Sequence, residues 1–358
     1  MMLYKRIGRD AELQQFKCVE IVEELIYGNG ELKINNMKLL LITFLSLPLV
    51  LLGDDYEVPK TWFGDPDLQG TWTNASLTTL ERPDEYKTLI VSDRDALIAK
   101  RMTKEFVDAQ DNYLEPGETP KAGADVGGYN TAWMDFGTEL FKIDGEYRSS
   151  IITYPEDGKL PRRWIGWGKE AIAIARMFRQ ADHPELRSLG ERCIVGFGSS
   201  GGPPMLNVLY NNNYQIVQSP GYVMIMVEMN HDARIIRLDS EYNPDNMRRW
   251  LGDSLGYWEG NTLVVKTINH HPQQKFRAAI RHQILITEEA EITERFTRVG
   301  NKEILYQFEV NDNEAYKDIW KGEMPLRASD EKIYEYACHE GNYAMANILA
   351  GARAEEEN

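Results

Sequence analysis

The chain of 358 residues is poor in cysteine, with three, and in histidine, with six. That excludes a disulfide-dense scaffold and a cysteine-rich metal domain. Positive charge is also short: 40 Lys and Arg stand against 56 Asp and Glu, a formal charge of −16. A general nucleic-acid binder needs a basic face to displace counterions, and docking on anionic lipid needs a basic patch, so neither partner is expected. No uncharged apolar run approaches the ~20 residues of a transmembrane helix, so no stable membrane span is expected. The chain has no phosphate loop, paired CxxC or HExxH, and its GFGSSGG run at 196–202, which spells both Gly-x-Gly-x-x-Gly and Gly-x-Ser-x-Gly, has no helix pattern after it. A nucleoside triphosphate and a catalytic zinc therefore lack their usual signatures, a dinucleotide and a hydrolase serine lack the strand–turn–helix context theirs require, and no cofactor is expected. The GSSGG run at 198–202 has no following Lys and enters Pro203-Pro204, so it opens no phosphate-cradling helix.

What is there begins with an address. Met37-Lys38 precedes the uncharged run LLLITFLSLPLVLL at 39–52, then Gly53 and Asp54-Asp55. A basic residue, an apolar stretch and a small residue form the layout of a secretory signal peptide, here at 37–53. Leu51 departs from it, standing where a small residue is usual. Residues 1–36, which include Cys18, read as a spurious N-terminal extension with Met37 as the start. The alternative is a cytosolic helix with 39–52 as its buried partner. Residues 54–358 read as one large β-rich domain, exported to the periplasm or the extracellular space, and they keep the whole negative charge. Their two cysteines, Cys193 and Cys338, form a disulfide in an oxidising compartment; two buried free thiols are the alternative.

Within that domain, 54–200 is mixed and loop-rich, and 205–340 is the β core. Ser92 caps a helix running to about Ala109, with Asp93 and Asp95 in its first turn. Residues 111–130, rich in Gly, Pro and acid, read as a loop. Residues 132–154 form a hairpin around Asp144-Gly145, and 169–180 is a second helix. Strands are expected at 214–218, 222–229, 233–238, 255–259, 262–267, 283–299, 304–310 and 333–337, with turns at Pro220-Gly221, Asn230-His231-Asp232, Gly260-Asn261 and Gly300-Asn301. A C-terminal helix spans 343–357. The fold class is mainly β: an antiparallel barrel or sandwich with two or three peripheral helices.

Four constellations carry possible chemistry. His231 beside Asp232 and Arg234 suits a general base, its orienting carboxylate and a clamp for an anionic substrate group; ordinary turn chemistry is the alternative. His339 beside Glu340, pinned by Cys338, suits a second acid/base pair; the alternatives are a polar turn and helix cap or, with a free thiol, a Cys338–His339 nucleophile and base. His270, His271 and His282, with Glu288 or Glu289, match no defensible zinc spacing, and no metal is assigned. Tyr210, Asn211 and Asn212, after Gly201-Gly202-Pro203-Pro204, suit the wall of a polar pocket, though Asn tracts also make turns. Trp258, with Trp250 and Tyr257, would wall a cavity or fill a core.

Two resemblances follow from particular stretches. Gly70-Thr71-Trp72 resembles the Gly-x-Trp of the first strand in lipocalin-like (calycin) barrels. The stretches GERCIVGFGSSGGPPML, YNNNYQIVQSPGYVMIMVEMNHDARIIRLD, RRWLGDSLGYWEGNTLVVKT, ERFTRV and IYEYACHEGNYAMANILAGAR resemble a group of exported, β-rich bacterial proteins, over roughly residues 60–355. That resemblance implies export and architecture and carries no catalytic roles.

The functional expectation is an exported enzyme acting on a small molecule by cofactor-independent acid/base chemistry: hydrolysis, elimination or isomerisation. His231, His339, Asp232 and Glu340 would be catalytic; Arg234, Tyr210, Asn211, Asn212 and Trp258 would bind substrate. The alternatives are a small-ligand-binding or carrier β-barrel without catalysis and a structural envelope protein.

Overall fold

The computed structural model describes residues 56–110, 134–135, 137–163 and 181–356. The expected extension, signal peptide, 111–130 loop and 169–180 helix lie outside them. In chain order the elements are β1 (Gly70–Thr73), β2 (Ile90–Val91), α1 (Asp93–Gln110), β3 (Lys142–Ile143), β4 (Glu146–Arg148) and β5 (Ile152–Tyr154). Then come β6 (Asn213–Ser219), β7 (Tyr222–Val227), β8 (Ala233–Leu238), β9 (Asp253–Glu259), β10 (Thr262–Ile268), β11 (Phe276–Ala279) and β12 (His282–Leu285). The last are β13 (Glu291–Gly300), β14 (Glu303–Asn311), β15 (Trp320–Ala328) and α2 (Tyr343–Glu356). None of the helices among the described residues is long and apolar enough to cross a membrane.

Nine strands close into a barrel in the order β1-β6-β7-β8-β9-β10-β13-β14-β15, and β15 returns to β1. All neighbours are antiparallel except β8 and β9, which run parallel. Closure is shared along β15: Trp72 and Thr73 of β1 pair with Ala328 and Arg327, while β5 covers the other end at Lys321 and Gly322. The register follows side-chain alternation. On β14, Ile304, Tyr306, Phe308 and Val310 are buried and their neighbours are half-buried. The expected hairpin around Asp144-Gly145 is the β3–β4 pair, and Ser92 caps α1 by accepting from Asp95 N at 3.2 Å.

Three local expectations need correction. The expected 333–337 strand is irregular chain. The expected 283–299 strand is broken, because Asp312 accepts from Thr287 N at 2.7 Å and Thr287 Oγ1 at 2.9 Å and turns the chain between β12 and β13. An unexpected strand, β15, contains Gly322 and Pro325. A Cβ at Gly322 would lie 2.4 Å from Phe308 Cζ and 3.0 Å from Ile151 O, so only glycine lets β5 and Phe308 meet there.

The barrel is filled rather than hollow. The Gly/Pro segment 199–208 is wholly buried and plugs it. Arg277, on β11, ties this segment from Nη1 to Ser199 Oγ (3.2 Å), Gly202 O (3.1 Å) and Pro203 O (2.6 Å). Tyr214 OH donates to Ser200 O at 2.9 Å, and Met205 N donates to Tyr306 OH at 2.9 Å. That tyrosine donates in turn to Glu294 Oε1 at 2.7 Å, and Glu294 grips Arg234 Nη1 and Nη2 at 2.5 and 3.0 Å. Glu294 is 0 % exposed and Arg234 3 %. Buried charges persist when paired and hydrogen-bonded; Arg234 and Glu294 meet that condition with only Arg234 Nε unpartnered, whereas Arg277 is held by neutral oxygens and burial lowers its pKa to about 9.

Candidate functional site

The plug enters and leaves past one rim of the barrel, where β6 begins and β7 ends. Asn211 turns the chain with a left-handed φ of 55°, a conformation asparagine tolerates. Asn212 fixes the turn: its Oδ1 accepts from Val208 N at 2.8 Å, and its Nδ2 donates to Val208 O and Asp135 O, each at 3.0 Å. Asn213 Nδ2 donates to Glu228 Oε2 at 3.0 Å across the start of the β6–β7 pair.

Across this rim lies a strap, residues 331–342, fastened at three places. Glu228 Oε1 accepts from Tyr334 N at 3.0 Å. Cys193 and Cys338 form a disulfide with Cα atoms 5.7 Å apart, as the cysteine pair predicts. Asn342 Nδ2 donates to Glu191 O at 2.7 Å while its Oδ1 caps α2 at Met345 N, 3.3 Å away. His231 adds a clasp beside the first of these: its Nε2 lies 3.0 Å from Tyr334 O and accepts from Tyr336 N at 3.2 Å. Without a proton Nε2 takes the Tyr336 N–H, and with one it donates to the Tyr334 carbonyl.

Between rim and strap is a cleft of 1290 Å3. Phe197, Tyr210, Tyr336, Met345 and Ile348 supply apolar wall; Asp135, Glu191, Glu228, Glu331 and Glu335 supply five carboxylates. None of the described lining residues is basic. Glu191 is neutralised locally: burial pushes against its charge, but Arg187 at 2.5 Å and the Ser188 donors outweigh it and hold its pKa below the usual range. Glu228 is buried with only neutral donors on it. Burial, with the Glu331 charge adding, pushes the Asp135 pKa up. The cleft therefore joins aromatic surface to carboxylates of which, among the described residues, only Glu191 has a direct ion pair, although Arg281 acts on Asp135 from outside the lining. Its volume is above the usual range for small-molecule pockets.

Of the residues the sequence singles out, Tyr210, Asn211 and Cys338 line the cleft. Asn212 is the clamp behind it. Arg234 lies inside the barrel on Glu294, and Trp258 packs on the barrel core. His231 is exposed at the turn between β7 and β8 with its ring nitrogen on the strap. Its neighbour Asp232 faces elsewhere: Oδ2 accepts from Gly196 N at 2.6 Å and Oδ1 from Asn230 Nδ2 at 3.0 Å, while burial raises its pKa. His339 and Glu340 are exposed in the turn before α2 and do not line the cleft. His270 is buried, His271 stacks on Trp250 with ring centroids 3.8 Å apart, and His282 accepts from Ser199 N at 2.8 Å. Among the described residues no His, Cys, Asp and Glu cluster could hold a metal ion.

Asp135, Glu228, Phe197 and Tyr336 are not singled out by the sequence. Tyr336 belongs to a segment that reads as strand, and Glu228 extends one. Their convergence depends on a strap joined to the rim more than a hundred residues away in sequence. No family model matches the chain, and no curated protein or solved structure is similar to it.

Proposed function

We propose that this is an exported binding protein whose rim cleft takes a small molecule with an apolar body and a cationic group. The observation that carries the reading is the cleft itself: 1290 Å3, aromatic and apolar walls, no basic residue among the described lining, and carboxylates of which only Glu191 has a direct ion pair. A cation recovers Coulomb energy from Asp135, Glu228 and Glu331, and the rings of Tyr210 and Tyr336 favour it further. An anionic ligand would meet only repulsion there. The acid/base enzyme reading draws less support, because His231 is engaged with the strap and His339 and Glu340 lie outside the cleft.

Export is part of the proposal. The disulfide suits an oxidising compartment, the 37–53 segment has the layout of an export signal, and the resemblance to exported β-rich proteins agrees. N-terminal sequencing of the native protein should find the mature chain beginning near Asp54; recovery of Met1 in the mature chain would end the export reading. For the ligand, a thermal-shift screen of primary and quaternary aromatic amines, carboxylates and neutral alcohols should stabilise the protein selectively with amines. Stabilisation by carboxylates alone would overturn the assignment.

A further inference from the structure

A second pocket, of 320 Å3, lies between residues 79–84 and the start of β12. Its charge is arranged the opposite way. Arg82, Lys159, Arg281 and His282 line it together with Glu81 and Asp84. Glu81 is already committed: it takes Arg162 Nη1 at 3.0 Å and Nη2 at 2.6 Å, and Leu160 N at 2.9 Å. Asp84 holds Lys159 Nζ at 2.9 Å, but its side chain is 94 % exposed and the bond is that of a surface pair, worth little.

The buried donors are left over. Arg82 is only 6 % exposed, donates from Nη1 to Glu156 O at 2.8 Å, and has no acceptor for its Nε–H. Its stem runs against Gly158, where a Cβ would come within 2.8 Å of Arg82 Cβ, so the backbone makes room for this arginine. His282 is 5 % exposed, and Ser199 N donates to its Nε2, which puts the proton of the neutral ring on Nδ1. That Nδ1–H has the Asn207 carbonyl on its side but no acceptor at hydrogen-bonding geometry. Burial pushes the His282 pKa down to about 4, so the ring is a neutral donor at pH 7. Arg281, also in the pocket wall, is not left over: it donates to Ser76 O and is drawn to the charge of Asp135. Arg82 Nε–H without an acceptor and His282 Nδ1–H with only an off-geometry one belong to residues lining one small pocket beside Lys159, and an acceptor-rich guest would satisfy them, since an unsatisfied buried donor is costly.

We propose that this pocket is a second site, separate from the cleft, that binds a small oxyanion, a carboxylate or phosphate group, through Arg82, His282, Arg281 and Lys159. The volume admits one such group, and the guest draws Lys159 away from Asp84. The site is a neighbour of the cleft, since Arg281 and the cleft's Asp135 feel each other's charge, but its donors Arg82, His282 and Lys159 do not line the cleft.

Calorimetric titration of the full chain with inorganic phosphate and with acetate, against chloride at the same ionic strength, tests it. One equivalent of phosphate or acetate should bind, and the tighter of the two names the natural group. Lys159→Met, at a half-exposed position, should weaken binding about threefold to tenfold. Arg82→Gln should weaken it more. Should that variant fail to fold, the 15N shift of His282 Nδ1 on adding phosphate gives an independent reading and is expected to move. Chloride competing as well as the oxyanions, undiminished binding in Lys159→Met, or a His282 resonance that stays fixed at saturation would each overturn the site.

Discussion

The barrel interior and the rim cleft both hold carboxylates away from bulk water, and they treat them differently. Inside, Glu294 has two guanidinium donors from Arg234 and a phenol from Tyr306, and the plug ends on the same phenol through Met205 N. Burial alone would weaken the Arg234 charge; Glu294 more than offsets that and raises its pKa. At the rim, the Asp135 carboxylate has neutral donors, Gly137 N at 3.3 Å among them, and feels Arg281 only at a distance, so burial wins and its pKa is raised rather than lowered. A carboxylate completed by its own chain stabilises the fold. One without a direct ion pair beside an aromatic wall is held ready for something else.

The largest test of this contrast is Glu294→Ala. It strands Arg234 inside the barrel and should cost about 3–5 kcal/mol, read as a lower denaturant midpoint. A loss below ~1 kcal/mol would erase the distinction between the two regions. Next is the strap. The disulfide spans 145 residues, and Cys338→Ser should remove about 3–5 kcal/mol on the loop-closure account. It should also loosen ligand binding, because Tyr336, Met345 and Ile348 lose their anchor; unchanged affinity would mean that the strap is not a wall of the site.

Acidification sharpens the same contrast. Burial holds the His282 pKa down at about 4 and that of His270 well below its ordinary 6.5. The unfolded chain therefore takes up protons that the folded one refuses, so these residues favour the fold above about pH 6.5 and lose that contribution as pH falls toward 4. Asp135 and Asp232, with raised values, act in the opposite sense at pH values above their ordinary 3.8, and the two imidazoles should make the midpoint fall between pH 6.5 and 5. A midpoint that rises across that interval contradicts the buried neutral imidazoles. The smallest effect on stability belongs to Asp135→Asn. It should leave the denaturant midpoint unchanged or slightly higher while weakening amine binding about tenfold, the reverse of Glu294→Ala.

What the sequence makes legible is what short range controls. Pro220-Gly221, Gly260-Asn261 and Gly300-Asn301 mark hairpins from neighbouring residues alone, so β6, β7, β9, β10, β13 and β14 can be read directly. β15 cannot: Gly322 and Pro325 argue against a strand, and the reason for Gly322 is Phe308 from the next strand and the Ile151 carbonyl beyond it. Residues 333–337 fail in the other direction. IYEYA has the composition of a strand, but its backbone bonds go to Glu228 and His231 instead of a ladder. The site divides the same way. Tyr210 and Asn211 stand out locally as aromatic and turn residues beside a rigid segment. The alternation of β8 already places Arg234 on the face of Ile236, inside the barrel, although its nearness to His231 in sequence suggests a shared site. Asp135 and Glu228 carry no local mark, because lacking a cation is a property of the assembled surroundings.

The most direct test of the central claim is a pair of calorimetric titrations at pH 7, with 2-phenylethylammonium and with its neutral isostere 2-phenylethanol. The ammonium should bind at least about tenfold tighter, with the difference largely lost in Asp135→Asn. Equal affinity for the two probes, or a preference for the alcohol, would contradict the reading of the cleft as a cation site.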